Sequence, residues 1–240
     1  MSFGYGGRIL RVNLSSLHTE ESSTSSYSDR FIGGRGIAAK LYWDEVLRRI
    51  ASRCWGGEAA ADFSNSEGMA LAAKTVQDRQ YAQDCLILCS FLWPITDSQF
   101  TDDHLGDPSL ESQLLSAVTG REIDEDGLYR IAERVFNLGR AILIREGHRG
   151  MDEDQLPDAW HDIPLRADFT NPELLVPGDG DEAVCRKGAV VDRNDFEEMK
   201  REYYRTRGWD ATTGLQTRAK LEDLGLWEVT EDLGKRGLLR

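Results

Sequence analysis

Asp124-Glu125-Asp126-Gly127-Leu128-Tyr129-Arg130-Ile131-Ala132-Glu133-Arg134-Val135-Phe136-Asn137-Leu138-Gly139-Arg140-Ala141-Ile142-Leu143-Ile144-Arg145-Glu146 carries the strongest helical pattern in this chain of 240 residues. Leu128, Ile131, Val135, Leu138, Ile142 and Leu143 fall at steps of three and four. On a helix that spacing makes one apolar stripe, which predicts a helix over Asp124–Glu146 with the stripe in the core. Gly147 follows where a C-terminal cap is expected.

Working outward toward the C-terminus, Met151 to Gly188 is rich in Pro, Asp and Gly and reads as a long irregular segment wrapped over a larger body. Asp192 to Thr206 is helical, with Asp192 as cap and Asp195 at the third position. The turn Gly208-Trp209-Asp210 separates it from two short helices, Thr217 to Leu224 and Trp227 to Leu233. Toward the N-terminus, Pro108 to Val118 is a helix with Asp107 as its candidate cap. Pro94, Asp97, Asp102 and Asp103 mark a loop, and Met69 to Gln83 lacks Gly and Pro and suits a helix.

Arg48 to Gly68 shows no sustained periodicity and reads as a junction. Before it, Arg8 to Leu14 approximates the alternation of a half-buried strand, and Thr24 to Tyr27 is a possible second strand. Ala38 to Leu47 is helix-prone, with Leu41, Val46 and Leu47 as plausible buried positions. The expected fold class is α+β: a mostly α-helical C-terminal region with a short N-terminal β-hairpin or ribbon. The expected units are residues 1–47, a 48–68 junction and a helical 69–240 domain.

Forty-two acidic residues against 29 basic ones give a net charge of −13. Such a surface repels a phosphate backbone, so nucleic acid is not an expected partner. No apolar run approaches the roughly 20 residues needed to span a bilayer. Met1 to Gly7 has no basic region followed by an apolar core, and the expected location is cytoplasmic.

Four cysteines, Cys54, Cys85, Cys89 and Cys185, are poor candidates for disulfides in a cytosolic chain. They are buried thiols or metal ligands, and no Cys-x-x-Cys occurs to decide. Asp84-Cys85-Leu86-Ile87-Leu88-Cys89 is the constellation with most chemistry in it. A thiolate can ligate iron–sulfur clusters, and a carboxylate can accept hydrogen bonds from a bound heterocycle. Gly33-Gly34-Arg35-Gly36 either cradles an anion or makes a tight turn before a helix. The four histidines are scattered without metal-ligand spacing, and Asp102-Asp103-His104 reads as a solvated acidic loop. Tyr203, Tyr204 and Trp209 beside Arg201, Arg205 and Arg207 read as a helix end packing on its neighbours.

The order of phrases adds a resemblance. Gly4-Tyr5-Gly6-Gly7-Arg8-Ile9-Leu10-Arg11-Val12-Asn13-Leu14, followed by Phe31-Ile32-Gly33-Gly34-Arg35-Gly36-Ile37, resembles the opening of aldehyde:ferredoxin oxidoreductases. Asp84 through Cys89 resembles that family's second Asp-x-x-Gly-Leu-Cys motif. Leu114 to Gly120, Glu133 to Leu138, Tyr203 to Asp210 and Gly214 to Leu221 are similar to its closing phrases. The resemblance implies oxidation of aldehydes to carboxylic acids at a tungsten or molybdenum bis-pterin, with electrons leaving through a [4Fe–4S] cluster to ferredoxin. It assigns Asp84 a hydrogen bond to the pterin, Leu88 backbone contacts beside it, and Cys89 one cluster iron.

Departures accompany the likeness, among them the absence of the family's phosphate- and magnesium-binding part and of the residues that flank its metal. Ile87 stands where the motif has glycine, the Cys-x-x-Cys-x-x-x-Cys that supplies three cluster ligands is absent, and so is the first Asp-x-x-Gly-Leu motif. Two readings are open: an oxidoreductase completed by a second copy or a complementing chain, or a non-catalytic remnant that acts as a structural or partner-binding module.

Overall fold

The computed structural model describes residues 6–12, 16–25, 46–89, 105–168, 171–179 and 182–240, with the single positions 27, 37, 40, 41, 96, 98 and 101. Gly33 to Gly36, Pro94, Asp97 and Asp102 to His104 lie outside the described residues. The architecture is α+β and mostly helical, with two small antiparallel sheets of two strands each among the described residues.

Strand β1 (Arg8–Val12) pairs with β2 (Thr19–Ser23). The second strand therefore lies ahead of the Thr24 to Tyr27 position expected for it, where Thr24 is in a turn and Ser25 and Tyr27 are helical. Charge pairing accounts for the register. Arg11 sits opposite Glu20, and the Arg8 guanidinium meets the diagonal Glu21 carboxylate at 2.9 Å. Opposite charges across a strand pair favour this alignment.

Helix α1 (Arg48–Cys54) and a 3-10 turn over Glu58–Ala61 occupy the stretch read as a junction. Both are too short to show a period in sequence. They hold together through Ala51, Ala60 and Ala61, which are buried against one another. Of the three positions expected to be buried before it, Val46 is buried while Leu41 and Leu47 are half-buried.

The main helices are α2 (Met69–Cys85), α3 (Ser109–Thr119), α4 (Glu125–Arg145) and α6 (Arg193–Arg207). A single turn, α5 (Ala159–Asp162), precedes α6, and α7 (Arg218–Asp223) and α8 (Trp227–Lys235) close the chain. The caps are local chemistry. Asp124 accepts from the Gly127 N–H at 2.8 Å, and Asp192 accepts from the N–H groups of Asn194 and Asp195 at 2.7 and 3.1 Å. Each satisfies donors that the first helical turn leaves without partners. Asp107 acts as expected on Ser109, at 3.0 Å.

The Met151 to Gly188 segment is less irregular than its composition suggests. Within it β3 (Leu175–Pro177) and β4 (Ala183–Cys185) form a hairpin. The Phe63 N–H donates to the Pro177 carbonyl at 2.8 Å, which ties the hairpin to the end of the 3-10 turn.

Helix α4 packs on α2, α3 and α8. Its apolar stripe is core only at its start. Leu128 is 2% exposed and packs with Ala82 and Ala132, but Leu138, Ile142 and Leu143 are 38%, 41% and 49% exposed. The buried side of the later turns mixes polar Glu133, Asn137 and Arg140 with apolar Ala141 and Ile144. Asn137 is bonded at both of its amide atoms. Its Oδ1 accepts from Trp209 Nε1 at 2.8 Å and Gln216 Nε2 at 2.7 Å, and its Nδ2 donates to the Glu133 carbonyl at 2.9 Å.

Arg207, at the end of α6, is 0% exposed. Its Nη1 donates to Asp78 on α2, its Nη2 to Gln77 Oε1 at 2.8 Å and the Lys74 carbonyl at 3.3 Å, and its Nε to the Tyr203 hydroxyl at 2.9 Å. The guanidinium carbon lies 4.0 Å from the Phe136 ring centre on α4. One cation thus fastens three helices, and its burial is compensated on every nitrogen. Asp78 also receives Lys74 at 2.8 Å, while Glu133 receives Lys220 at 2.8 Å and Lys74 at 3.4 Å.

Removing this cation leaves the buried Asp78 carboxylate with Lys74 as its one cationic partner among the described residues and empties the space between three helices. Arg207→Ala is expected to lower unfolding free energy by about 3–5 kcal/mol in urea titration. Arg207→Lys is expected to recover little, because an ammonium cannot reproduce the planar fork. Replacing both partners, Arg207→Met with Asp78→Leu, should cost less than Arg207→Ala alone.

Candidate functional site

Helix α2 ends in the residues that the sequence singled out. The Ile87 N–H donates to the Asp84 carbonyl at 3.1 Å and the Leu88 N–H to the Gln83 carbonyl at 2.9 Å. This crossed pair is a Schellman cap, whose first residue past the helix must turn left-handed. That residue is Ile87, with φ at +58°. The position assigned to glycine by resemblance keeps a glycine's backbone conformation although a β-branched residue fills it. Such a residue is strained there, because its Cβ meets the neighbouring carbonyl. The side chain is 92% exposed, so no burial offsets the strain.

The cap leaves the flanking groups open. Asp84 is exposed on the last turn of α2, and its Oδ1 accepts from Gln80 Nε2 at 2.9 Å. Leu88 is half-buried, and Cys89 just beyond it is exposed. Asp84 suits one hydrogen bond from a heterocycle N–H, since an ionised carboxylate is an acceptor only.

A [4Fe–4S] cluster does not fit the donors present. All four cysteines lie among the described residues and none is in a disulfide. Cys54 is buried beside Val46 and Ile50, and burial pushes its thiol up from the ordinary value. Cys185 lies exposed on β4, with only a weak contact to the Glu173 carbonyl at 3.8 Å. Among the described residues, no three of His, Cys, Asp and Glu come together as a metal site. Cys85 and Cys89 are both exposed at the end of α2, and two thiols do not hold a cluster that takes four.

A cleft along the same helix is not legible in the local sequence. It has a volume of about 810 Å³ and is bounded by α2, α4, α6 and the chain from Glu153 to Gln155. Its walls are aromatic: Tyr81, Phe136, Phe196, Tyr203, Tyr204 and Trp209. Phe136 stacks on Trp209 with centroids 6.0 Å apart, and Tyr81 meets Phe136 edge-on at 5.1 Å. Tyr203, Tyr204 and Trp209 are therefore a helix end packed on its neighbours, and they are also a wall. The one usable signal is the spacing of Ala73, Gln77 and Tyr81, which puts a lining row on α2.

Two of the cleft's charges, Arg140 and Asp154, pair with each other. Arg140 Nη1 donates to Asp154 Oδ1 at 2.9 Å, and its Nη2 donates to Asp154 Oδ2 and to the Gly214 carbonyl. The Tyr204 hydroxyl donates to Asp154 Oδ2 at 2.6 Å. Burial opposes the charge on Asp154, but the Arg140 guanidinium and Tyr204 hydroxyl outweigh it and hold the carboxyl below the usual range. Burial, reinforced by Asp154, pushes the Tyr204 hydroxyl up, so it stays a neutral donor. Glu133 obeys the same logic: burial opposes its charge, and Lys220 and Lys74 hold it below the usual range.

The family model described as aldehyde ferredoxin oxidoreductase, domains 2 and 3, matches residues 22–226. A tungsten-containing aldehyde ferredoxin oxidoreductase of Pyrococcus horikoshii is 30% identical over 117 residues. That match covers 49% of this chain and 16% of the relative, so it spans only a small part of the longer protein. Among solved structures, the active-site complex BamBC of benzoyl coenzyme A reductase, in complex with 1,5-dienoyl-CoA, is similar over 75% of this chain and 23% of that one. Its TM-score is 0.48 and its sequence identity 22%.

The cap and the buried carboxylates both have consequences for stability. Ile87→Gly relieves the left-handed strain of about 1–2 kcal/mol and gives back part of it as unfolded-chain entropy. A net gain of about 0.5–1 kcal/mol in urea unfolding is expected. For Asp154 and Glu133 the native pKa values lie below the unfolded ones, about 3.9 and 4.3. Their stabilisation is complete above those values and is lost as pH falls through the lowered native ones. The unfolding midpoint should hold from neutral pH to about pH 5 and drop below about pH 4, less steeply in Asp154→Asn.

Proposed function

The chain belongs to the aldehyde ferredoxin oxidoreductase family, and we propose that it supplies one part of an oxidoreductase site that residues outside these 240 complete. In this reading Asp84 accepts a hydrogen bond from a pterin, the Leu88 backbone lies beside it, and Cys89 gives a single thiolate to a [4Fe–4S] cluster. The overall reaction is the family's: an aldehyde becomes a carboxylic acid, and ferredoxin receives the electrons. Tungsten or molybdenum held by two pterins, together with the cluster, would supply the redox chemistry once the site is complete.

One observation supports this reading above the others. The α2 terminus turns left-handed at Ile87 and leaves Asp84 and Cys89 exposed on either side of the cap. A strained backbone conformation held by an ill-suited residue points to a shape kept for use. The rest of the site would come from residues outside these 240, such as those of a second copy or a complementing chain. A second reading, a non-catalytic structural or partner-binding module, is favoured by the scattered thiols.

Metal content separates the two readings. The chain purified anaerobically after growth with iron and tungstate is expected to hold well under one iron and to reduce no viologen dye with aldehyde. Co-expression with a family chain carrying the Cys-x-x-Cys-x-x-x-Cys triplet is expected to bring iron toward about four per complex. Cys89→Ser should lower that iron and the aldehyde-dependent dye reduction. Four irons in the isolated chain would overturn the incomplete-site reading, and no metal in either preparation would favour the non-catalytic one.

A further inference from the structure

The aromatic cleft has a composition that calls for a ligand of its own. None of Asp84, Leu88 and Cys89 lines it, so its ligand is independent of the pterin and the cluster. Its volume of about 810 Å³ falls in the ordinary range for sites that take small organic molecules. Met69 and Met199, two adaptable side chains, complete its apolar lining.

Charge decides what kind of molecule fits. Each charged residue that lines the cleft already has a partner. Arg140 pairs with Asp154, Lys200 with Glu197 at 2.7 Å, and Glu153 with Arg149 at 2.9 Å. A charged ligand would arrive without a counterion in a partly dry site, which is costly. The cleft therefore selects against ions.

Two neutral donors remain. Gln77 uses its Oε1 to accept from Tyr203 and Arg207, and its amide nitrogen has no hydrogen bond among the described residues. The Tyr81 hydroxyl likewise has none there; its ring meets Phe136 edge-on. Four residues apart on α2, both groups line the cleft on one helix face. Space lies open in front of them: a Cβ built on Gly139 of α4 would meet only the Tyr81 hydroxyl oxygen, at 3.9 Å. Paired donors beside aromatic walls match a flat ring system that carries a carbonyl oxygen.

We infer that the cleft between α2, α4 and α6 is a binding site for an uncharged aromatic carbonyl compound, whose oxygen is held by Gln77 and Tyr81 and whose rings lie against the half-buried Phe196 and Tyr203.

Titration calorimetry on the full chain tests this with three probes: 2-acetylnaphthalene, 2-naphthoate and cyclohexyl methyl ketone. The first is expected to bind one saturable site. The naphthoate, with the same rings and a charge, should bind about tenfold more weakly or worse. The cyclohexyl ketone, with the same oxygen and no aromatic face, should lose about fivefold. Gly139→Leu, which fills the open space, should weaken the first probe about tenfold, and Tyr81→Phe, which removes one donor, about fivefold. Should Gly139→Leu fail to fold by circular dichroism, Tyr81→Phe decides alone, since it removes only an unbonded hydroxyl. The inference is overturned by an absence of saturable binding, by equal affinity for the naphthoate, or by wild-type affinity in the folded variants.

Discussion

A single guanidinium, that of Arg207, sets the terms for the helical part of this molecule. It is wholly buried at the end of α6, reaches Asp78, Gln77 and the Lys74 carbonyl on α2, and lies over Phe136 of α4. A buried charge is tolerable only when its partners are fixed in place. The three helices must therefore hold one mutual arrangement, and the aromatic residues near the cation are carried with them. Tyr203 is fixed twice, as a donor to Gln77 and as the acceptor from Arg207 Nε.

That constraint explains why α4 does not bury the stripe its sequence advertises. Near its start, small residues let α2 approach closely, and Leu128, Ala132 and Ala82 form an apolar contact. Further along, the polar side turns inward to meet Trp209, Gln216 and Asp154 through Asn137 and Arg140. Leu138, Ile142 and Leu143 are left partly outside. Apolar spacing along a helix tells which side chains share a face. It does not tell where satisfied polar groups provide a better packed interior.

The two sites of interest share helix α2. One side of it walls an aromatic cleft through Gln77 and Tyr81, and its end presents Asp84 and Cys89 around a left-handed cap. The terminus was legible from sequence, because a carboxylate and thiols in a family-like phrase are conspicuous. The cleft was not. Its residues come from four separated segments and include none with unusual chemistry by itself, so only their convergence makes a site.

The sequence by itself determined the longer helices and several of their caps, because Asp124, Asp192 and Thr217 act on N–H groups two or three residues away. It also determined the family, through ordered phrases that no single residue carries, and the mostly helical α+β class. Tertiary structure alone decided which face of α4 is inside, where β2 begins, and how far apart in the chain the charge partners lie. Arg207 and Asp78 are 129 positions apart, and no local pattern encodes such a pair. The physical reason is range. Caps and periodicity are written in neighbours, whereas a buried ion pair and a cleft wall depend on segments that meet only once the chain has folded.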